Sequence, residues 1–501
     1  MTTHNKFMLI VCLIVLGKLS GLLKDVLITF YHGVSSVTDA YFLSNSISSV
    51  LYMAIYSAVP ILVVPLYSRA IVGKRTIRAN TEISAALVFL LVISVCAAIF
   101  VWNAASFLVS AFSGNIDSVV KELATNYLGI MALTFSFSTL VSFYNSIQTV
   151  KRIVLPSYIV PIFNNSIFCI GLAVFSSASN FHSVLLLGLL SWILLCVVNF
   201  RIIRGQFIFD PKAALDVSLS RKLMLLFFPA ALSFYIEQVN SFVGIYFASE
   251  LGLGAISIIS YSNKINLMFL SVFLVYLTAS IFPRIAAVNA TGEIDEMYGY
   301  LVRCLRLIVL LSVPIVGFIH LYSDQLVELL FLRGNFTVDN VNKVASVLSL
   351  VVFALPFCLI RDAMNRVIFA SGNTLTPLLL SLVALAINVS IAYLSYKTYG
   401  LLGLAFASVV STMTSCIIVT LLVSKMIEAN LTVVWIGIAM ISAACTAIAY
   451  MLLSWIGEVF SVHWIVLFFP YLVSYASILY ILRVREMHMV VGVLRGMLGR
   501  L

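Results

Sequence analysis

The chain has 501 residues, of which 62% are hydrophobic and only 10% charged, against roughly 25% charged in a soluble domain. That is too little polar surface to coat a water-soluble globule, so lipid must be the solvent for most of the chain. The formal net charge is +10. The basic residues lie mainly in short loops between apolar stretches, so the expected partner is the anionic membrane lipid of the cytoplasmic leaflet, and no nucleic acid is expected.

Apolar stretches long enough to cross a bilayer, each needing about 20 residues, recur down the chain. They lie near 7–30, 40–67, 83–106, 123–148, 155–176, 184–203, 223–249, 259–283, 301–322, 344–370, 375–396, 401–424, 432–456 and 462–482. The expected fold class is therefore an all-α polytopic membrane protein with about 14 transmembrane helices. Lys18 and Lys24 follow the first apolar run with no small-residue cleavage site after it, which reads as a first span and not a removed leader. The eight cysteines are scattered singly, as small buried hydrophobes.

Placing the N-terminus in the cytoplasm and alternating the loops puts about 22 of the 29 Lys and Arg inside, about 4 outside and about 3 within spans. The inner group includes Arg69, Lys74, Arg75, Arg78, Lys151, Arg152, Arg201, Arg204, Lys212, Arg221 and Lys222. The outer group is Lys121, Arg333, Lys343 and Lys397. Both termini are then cytoplasmic. After Ile481, Arg483, Arg485, Arg495 and Arg500 stand among Val, Met and Leu, which suits either a basic amphipathic helix on the inner leaflet or a solvated tail.

Ionisable groups inside spans are costly and so informative. The first span carries Lys18, Lys24 and Asp25; Lys18 and Asp25 share a face, and Lys24 lies about 120° from Lys18. Gly17 and Gly21 form a GxxxG spacing suited to close helix contact. The second span opens with Asp39 and continues through Ser44, Asn45, Ser46, Ser48 and Ser49; the seventh has Glu237, Gln238 and Asn240, and the eighth Asn263, Lys264 and Asn266. Polar groups on spans 1, 2, 7 and 8 suit a central polar cleft. Lys18 and Lys264 are its candidate cations, and Asp25, Asn45, Glu237 and Asn263 are candidates for substrate or ion-coupling contacts. The competing readings are plain: Lys24 and Asp25 pairing near the outer interface, Lys264 snorkelling outward, Glu237 serving a lysine as structural partner, and the Ser/Asn stripe as packing glue.

Two parts of the chain read alike. DAYFLSNSISSVLYMAIYSAVPILVVPLYSR (39–69) parallels SIISYSNKINLMFLSVFLVYLTASIFPR (257–284), with Pro65 and Pro283 218 apart. VKRIVLPSYIVPIFNN parallels SGNTLTPLLLSLVALAIN, with Pro156 and Pro377 221 apart. Similar offsets suggest duplication of a six-helix unit, giving parallel repeats. The expected domains are an N-terminal six-helix lobe at 1–215, a second lobe at 216–430, two additional transmembrane helices at 431–484 and a basic cytoplasmic tail at 485–501. There is no GxxxxGK[ST], HExxH, GxSxG or Cys/His cluster with metal spacing. The expectation is no enzyme, no catalytic residue, no metal and no cofactor, with coupling to Na+, H+ or the membrane potential.

The segment GKLSGLLKDVLITFYHGVSSVTDAYFLS resembles the opening signature of MviN/MurJ-type lipid II flippases of the multidrug/oligosaccharidyl-lipid/polysaccharide exporter superfamily. The matching positions are Lys18, Gly21, Lys24–Asp25, Gly33 and Asp39-Ala40-Tyr41. The likeness continues at YSNKINLMFLSVFLVYLTASIFPRIA, ELLFLRGNFT, SGNTLTPLLLSLVALAIN and GLLGLAFASVVS. The resemblance implies 14 helices with both ends inside. It implies substrate binding by Lys18, Lys24 and Lys264, at positions of cavity arginines, and by Asp39 at an acidic position. Two departures stand out: the three cations are Lys where the family has Arg, and Tyr52 stands where a fourth cation is expected. The expected function is a flippase moving an undecaprenyl-diphosphate-linked saccharide, either lipid II or an O-antigen or exopolysaccharide repeat unit, from the cytoplasmic to the outer leaflet of a bacterial inner membrane, as a monomer. The alternative is a cation-coupled multidrug exporter of the same superfamily.

Overall fold

The structure is a computed structural model that describes residues 3–72, 76–153, 155–175, 180–204, 209–210, 217–276, 294–370, 375–460, 464–482 and 484. Pro283, the loop cations Lys74, Arg75 and Lys212, and the basic tail beyond Val484 lie outside the described residues. The helices are α1 (Thr3–His32), α2 (Ser36–Ser48), α3 (Ala54–Val72), α4 (Thr76–Phe112), α5 (Ser118–Val150), α6 (Leu155–Val174), α7 (Phe181–Ile203), α8 (Val217–Ala248) and α9 (Ala255–Tyr276). They continue as α10 (Ile294–Leu321), α11 (Ser323–Phe331), α12 (Val338–Val351), α13 (Ala354–Ala370), α14 (Leu375–Met426), α15 (Leu431–Phe460) and α16 (Trp464–Ile481).

The described part of each of the fourteen expected apolar stretches lies in a helix, a joined pair or one arm of a helix. A π-helical turn at Ser49–Met53 joins α2 to α3 within one span. The pair α12 and α13 is bent by 41° at its break. The 52 residues of α14 would be about 78 Å long if straight, more than twice the hydrocarbon thickness. Gly400, at φ 56° and ψ −133°, breaks α14 into two arms. The arms are tied by Ser395 Oγ donating to the Gly403 carbonyl at 3.0 Å and Ser411 Oγ to the Ala384 carbonyl at 2.6 Å. By length and apolar composition alone, eight described helices qualify to cross a membrane, or nine with the bent pair counted as one. The protein is a multi-pass membrane protein.

The chain groups into two compact units, Met1–Tyr261 with Phe331–Asn340, and Ser262–Leu330 with Val341–Leu501. In the first, α3, α4, α5 and α8 share a core of Ala58, Val63, Ile83, Leu90, Phe143 and Phe227. In the second, α10, α15 and α16 pack through Leu310, Phe318, Cys445, Ala449, Leu467 and Tyr471. Pro314 has no N–H to give the Leu310 carbonyl one turn back. Tyr475 on α16 donates its hydroxyl to that carbonyl at 2.9 Å, and Tyr471 donates to the Pro314 carbonyl at 2.9 Å. Ser442 on α15 meets the Tyr475 hydroxyl at 2.6 Å. The carbonyl that Pro314 leaves without its helical N–H thus helps dock α16, and Ser442 ties α15 to the same tyrosine.

Candidate functional site

Residues 17, 20, 21 and 24 recur at helical spacing and share one face of α1. That face packs on α6. A Cβ at Gly17 would stand 3.5 Å from Pro161 and one at Gly21 3.5 Å from the Asn165 amide, and Asn165 Nδ2 donates to Ser20 Oγ at 3.1 Å. Lys24 extends this seam: the side chain is half-buried and its ammonium stands 5.5 Å from the centre of the Phe168 ring, with Tyr41 among its neighbours. Asp25 and Cys169 are its other charged or ionisable neighbours. Lys18, on a different face, is exposed.

The C-terminal end of α1 is closed from far along the chain. Gly33 (φ +56°) terminates the helix in the left-handed region, where a side chain is strained. The Asn335 main chain donates to the Phe30 carbonyl at 3.0 Å and its side-chain amide to the Tyr31 carbonyl at 2.6 Å. Gly334 (φ +61°) must be a glycine, because a Cβ there would collide with the Phe30 carbonyl. Tyr261 donates to the Gly33 carbonyl at 3.1 Å and its ring meets Phe42, Phe331 and Phe336.

Asp39 is 2% exposed. Its carboxylate accepts from Gly254 N at 2.5 Å, Ser257 N at 2.8 Å and Ser257 Oγ at 2.5 Å. It therefore satisfies donors that the first turn of α9 leaves orphaned, with its negative charge at the positive end of that helix. Asn45 and Glu237 are exposed, Asp25, Asn263 and Lys264 half-buried. Ser262, beside Asn263, donates to the Val344 carbonyl at 2.9 Å and so joins α9 to α12. Lys18, Lys24, Asp25, Asp39, Asn45 and Glu237 belong to the first compact unit, and Asn263 and Lys264 to the second.

Tyr52 is not an empty substitute for a cation. It lies in the π-helical turn, 8% exposed, and stacks on Phe135 with ring centres 4.2 Å apart. Ser138 Oγ donates to its hydroxyl at 2.7 Å, and Thr139 Oγ1 lies 2.9 Å from it. Thr139 also reaches the Phe135 carbonyl and Ser138 the Thr134 and Phe135 carbonyls, so the three hydroxyls form one connected cluster against α5. The sequence signals that preceded these findings were Tyr41 within the Asp39-Ala40-Tyr41 motif, Gly334 and Asn335 within ELLFLRGNFT, and Ser257 at the start of the 257–284 segment. Phe168 had no local signal that singled it out.

A family model described as "Lipid II flippase MurJ" matches residues 28–475. A "Probable lipid II flippase MurJ" of Thermotoga maritima is 25% identical over 422 residues, covering 81% of this chain and 82% of that protein. One of Aquifex aeolicus is 24% identical over 374 residues, covering 73% and 72%. Among solved structures, "Lipid II flippase MurJ, inward closed conformation" superposes with a TM-score of 0.80 at 19% identity, covering 94% of this chain and 99% of that one. An inward-facing multidrug resistance MATE family transporter of the MOP superfamily reaches 0.70 at 15% identity, covering 82% and 94%. These likenesses establish a shared fold.

Proposed function

The chain belongs to the lipid II flippase MurJ family, and on that premise we propose that it moves a polyprenyl-diphosphate-linked saccharide from the cytoplasmic to the outer leaflet of a bacterial inner membrane by alternating access. The observation that supports the reading is Lys24, an ammonium on an apolar helix beside a packed helix seam and an aromatic ring. Lys can hold a diphosphate as a point charge. Lys18, Lys24 and Lys264 receive the head group, Asn45 and Asn263 give it neutral contacts, and Asp25 and Glu237 serve ion coupling. Asp39 acts on the site by fixing the start of α9. Two six-helix lobes at 1–215 and 216–430 rock about the site, with the pair at 431–484 outside the repeat and both termini cytoplasmic. The basic inner loops hold anionic lipid, and the monomer is the working unit. An inside-negative potential favours outward movement of an anion by about 2.3 kcal/mol per charge per 100 mV.

The test is transport of labelled lipid II and of a second diphosphate-linked glycan in proteoliposomes. Lys18→Ala is expected to lower the rate at least about tenfold, the scale of one lost charge-assisted hydrogen bond. Drug efflux that Glu237→Gln abolishes and Lys18→Ala spares, with no glycan movement by the parent chain, would replace this reading with cation-coupled multidrug export.

A further inference from the structure

We propose that Ser44 and Ser262 are equivalent positioning residues, one in each repeat, that set the rotation of α2 and α9 so that the asparagine after each, Asn45 and Asn263, is presented to the saccharide-diphosphate head group. The inference rests on the reading of these two asparagines as head-group contacts.

The same local pattern occurs twice. In α2 the residues from Val37 to Ser44 are all buried, and Asn45 is the first exposed side chain after them. In α9 the residues from Ala255 to Ser262 are all buried, and Asn263 and Lys264 are the first after them that are not. Each run closes on a fully buried serine whose hydroxyl reaches a neighbouring helix. Ser44 Oγ donates to the Ala124 carbonyl of α5 at 2.9 Å, sharing its proton with the Ala40 carbonyl one turn back. Ser262 Oγ donates to the Val344 carbonyl of α12 at 2.9 Å. Ala124 is the seventh residue of α5 and Val344 the seventh of α12. The two donors are 218 apart in the chain and the two acceptors 220, in step with the paired prolines. The Ser44 contact lies in the first compact unit and the Ser262 contact in the second, so each unit carries its own copy of one device.

Successive residues of a helix are turned by about 100°. A serine locked onto its neighbour therefore locks the next side chain away from that contact. Serine bonds between membrane helices also serve simply to hold the helices together, but packing alone does not call for an open amide at the next position. An asparagine carries one acceptor oxygen and two N–H donors, and leaving them unpaired in apolar surroundings is costly. Among the described residues, neither the Asn45 nor the Asn263 amide has a hydrogen-bond partner. Each can donate to a phosphate oxygen and can donate to or accept from a sugar hydroxyl.

The experiment uses the full chain in detergent, with lipid II and undecaprenyl diphosphate as probes. Alanine fits within the serine volume and suits a helix, so Ser44→Ala and Ser262→Ala keep the fold. Asn45→Ala and Asn263→Ala are expected to weaken binding by roughly tenfold each, the scale of a hydrogen bond to a charged group, and each serine variant by roughly fivefold, the scale of one net hydrogen bond. These losses should not add within a repeat: Ser44→Ala costs nothing further in the Asn45→Ala background, nor Ser262→Ala in the Asn263→Ala background. A serine that only holds helices together would weaken binding equally in both backgrounds, and that result would overturn the proposal. The second readout needs no substrate. Asn45→Cys and Asn263→Cys are expected to react with a water-soluble thiol reagent, followed at those peptides by mass spectrometry, and the added Ser44→Ala or Ser262→Ala should slow the reaction several-fold as the side chain turns. A rate unchanged by the serine substitution, or no reaction with the serine in place, would also overturn the proposal. Labelling that follows the serines, with neither probe bound by the parent chain, would keep the positioning role and reject the head-group reading.

Discussion

Asp39 illustrates how a residue in a polar motif acquires its role. Buried at 2% exposure, a carboxylate is tolerated only if its lone pairs are satisfied, and three donors from Gly254 and Ser257 do so. Asp39→Asn turns one acceptor into a donor facing an N–H and is expected to cost about 1–3 kcal/mol, read as a lowered unfolding temperature in detergent. Asp39→Glu should be no better, since the added methylene has no room at a fully packed helix start. Tyr52 is a second case: the connected cluster with Ser138 and Thr139 makes its hydroxyl structural. Tyr52→Phe leaves Thr139 and Ser138 to bond only within α5, with an expected loss of about 1 kcal/mol. Tyr52→Arg should fail to stabilise, because the guanidinium would replace a ring stacked 4.2 Å from Phe135.

Glycines separate two kinds of helix contact. Gly17 and Gly21 meet α6 at ordinary van der Waals range, 3.5 Å for an added Cβ, so Gly17→Ala and Gly21→Ala are expected to change stability by less than about 1 kcal/mol, aided by the better helix propensity of Ala. Gly334, by contrast, has a left-handed backbone and the Phe30 carbonyl against it. Gly334→Ala is expected to cost more than about 1 kcal/mol and to loosen the cap that Asn335 places on α1, seen as faster amide exchange at residues 30–33. Among the apolar helices, Tyr475→Phe tests the proline site of α10. The Leu310 carbonyl would lose the donor that replaces the missing proline N–H, at an expected cost of about 1–3 kcal/mol for a buried acceptor. The additional substitution Pro314→Ala should recover part of that loss by returning an N–H to the carbonyl.

Across the whole molecule, the charge bias carries a prediction about sidedness. With both ends inside, Lys397→Cys should react with an impermeant thiol reagent added outside intact cells, and Lys151→Cys only after permeabilisation. Reversal of either result would reject the orientation. The division into two compact units places residues 255–261 and 331–340 with the first unit, and the contacts of Asp39, Tyr261 and Asn335 are the physical reason. The division into six-helix lobes by sequence repeat is a separate proposal, since one of its four proline anchors, Pro283, lies outside the described residues.

The order and length of the apolar stretches were legible in the sequence, because a bilayer imposes a one-dimensional rule: about 20 apolar residues per crossing, with cations held to one side. The same rule exposed Lys18, Lys24 and Lys264, since charge within such stretches is expensive. No rule of that kind reports which groups meet. Asp39 finds donors 215 and 218 residues away, Asn335 caps a helix 304 residues back from it, and the ring that faces Lys24 comes from α6. Those pairings follow from how helix faces interlock, a property of shape in three dimensions. The tertiary structure alone decided that Asp39 holds a helix start, that Tyr52 joins a hydroxyl cluster and that Lys24 sits beside an aromatic ring.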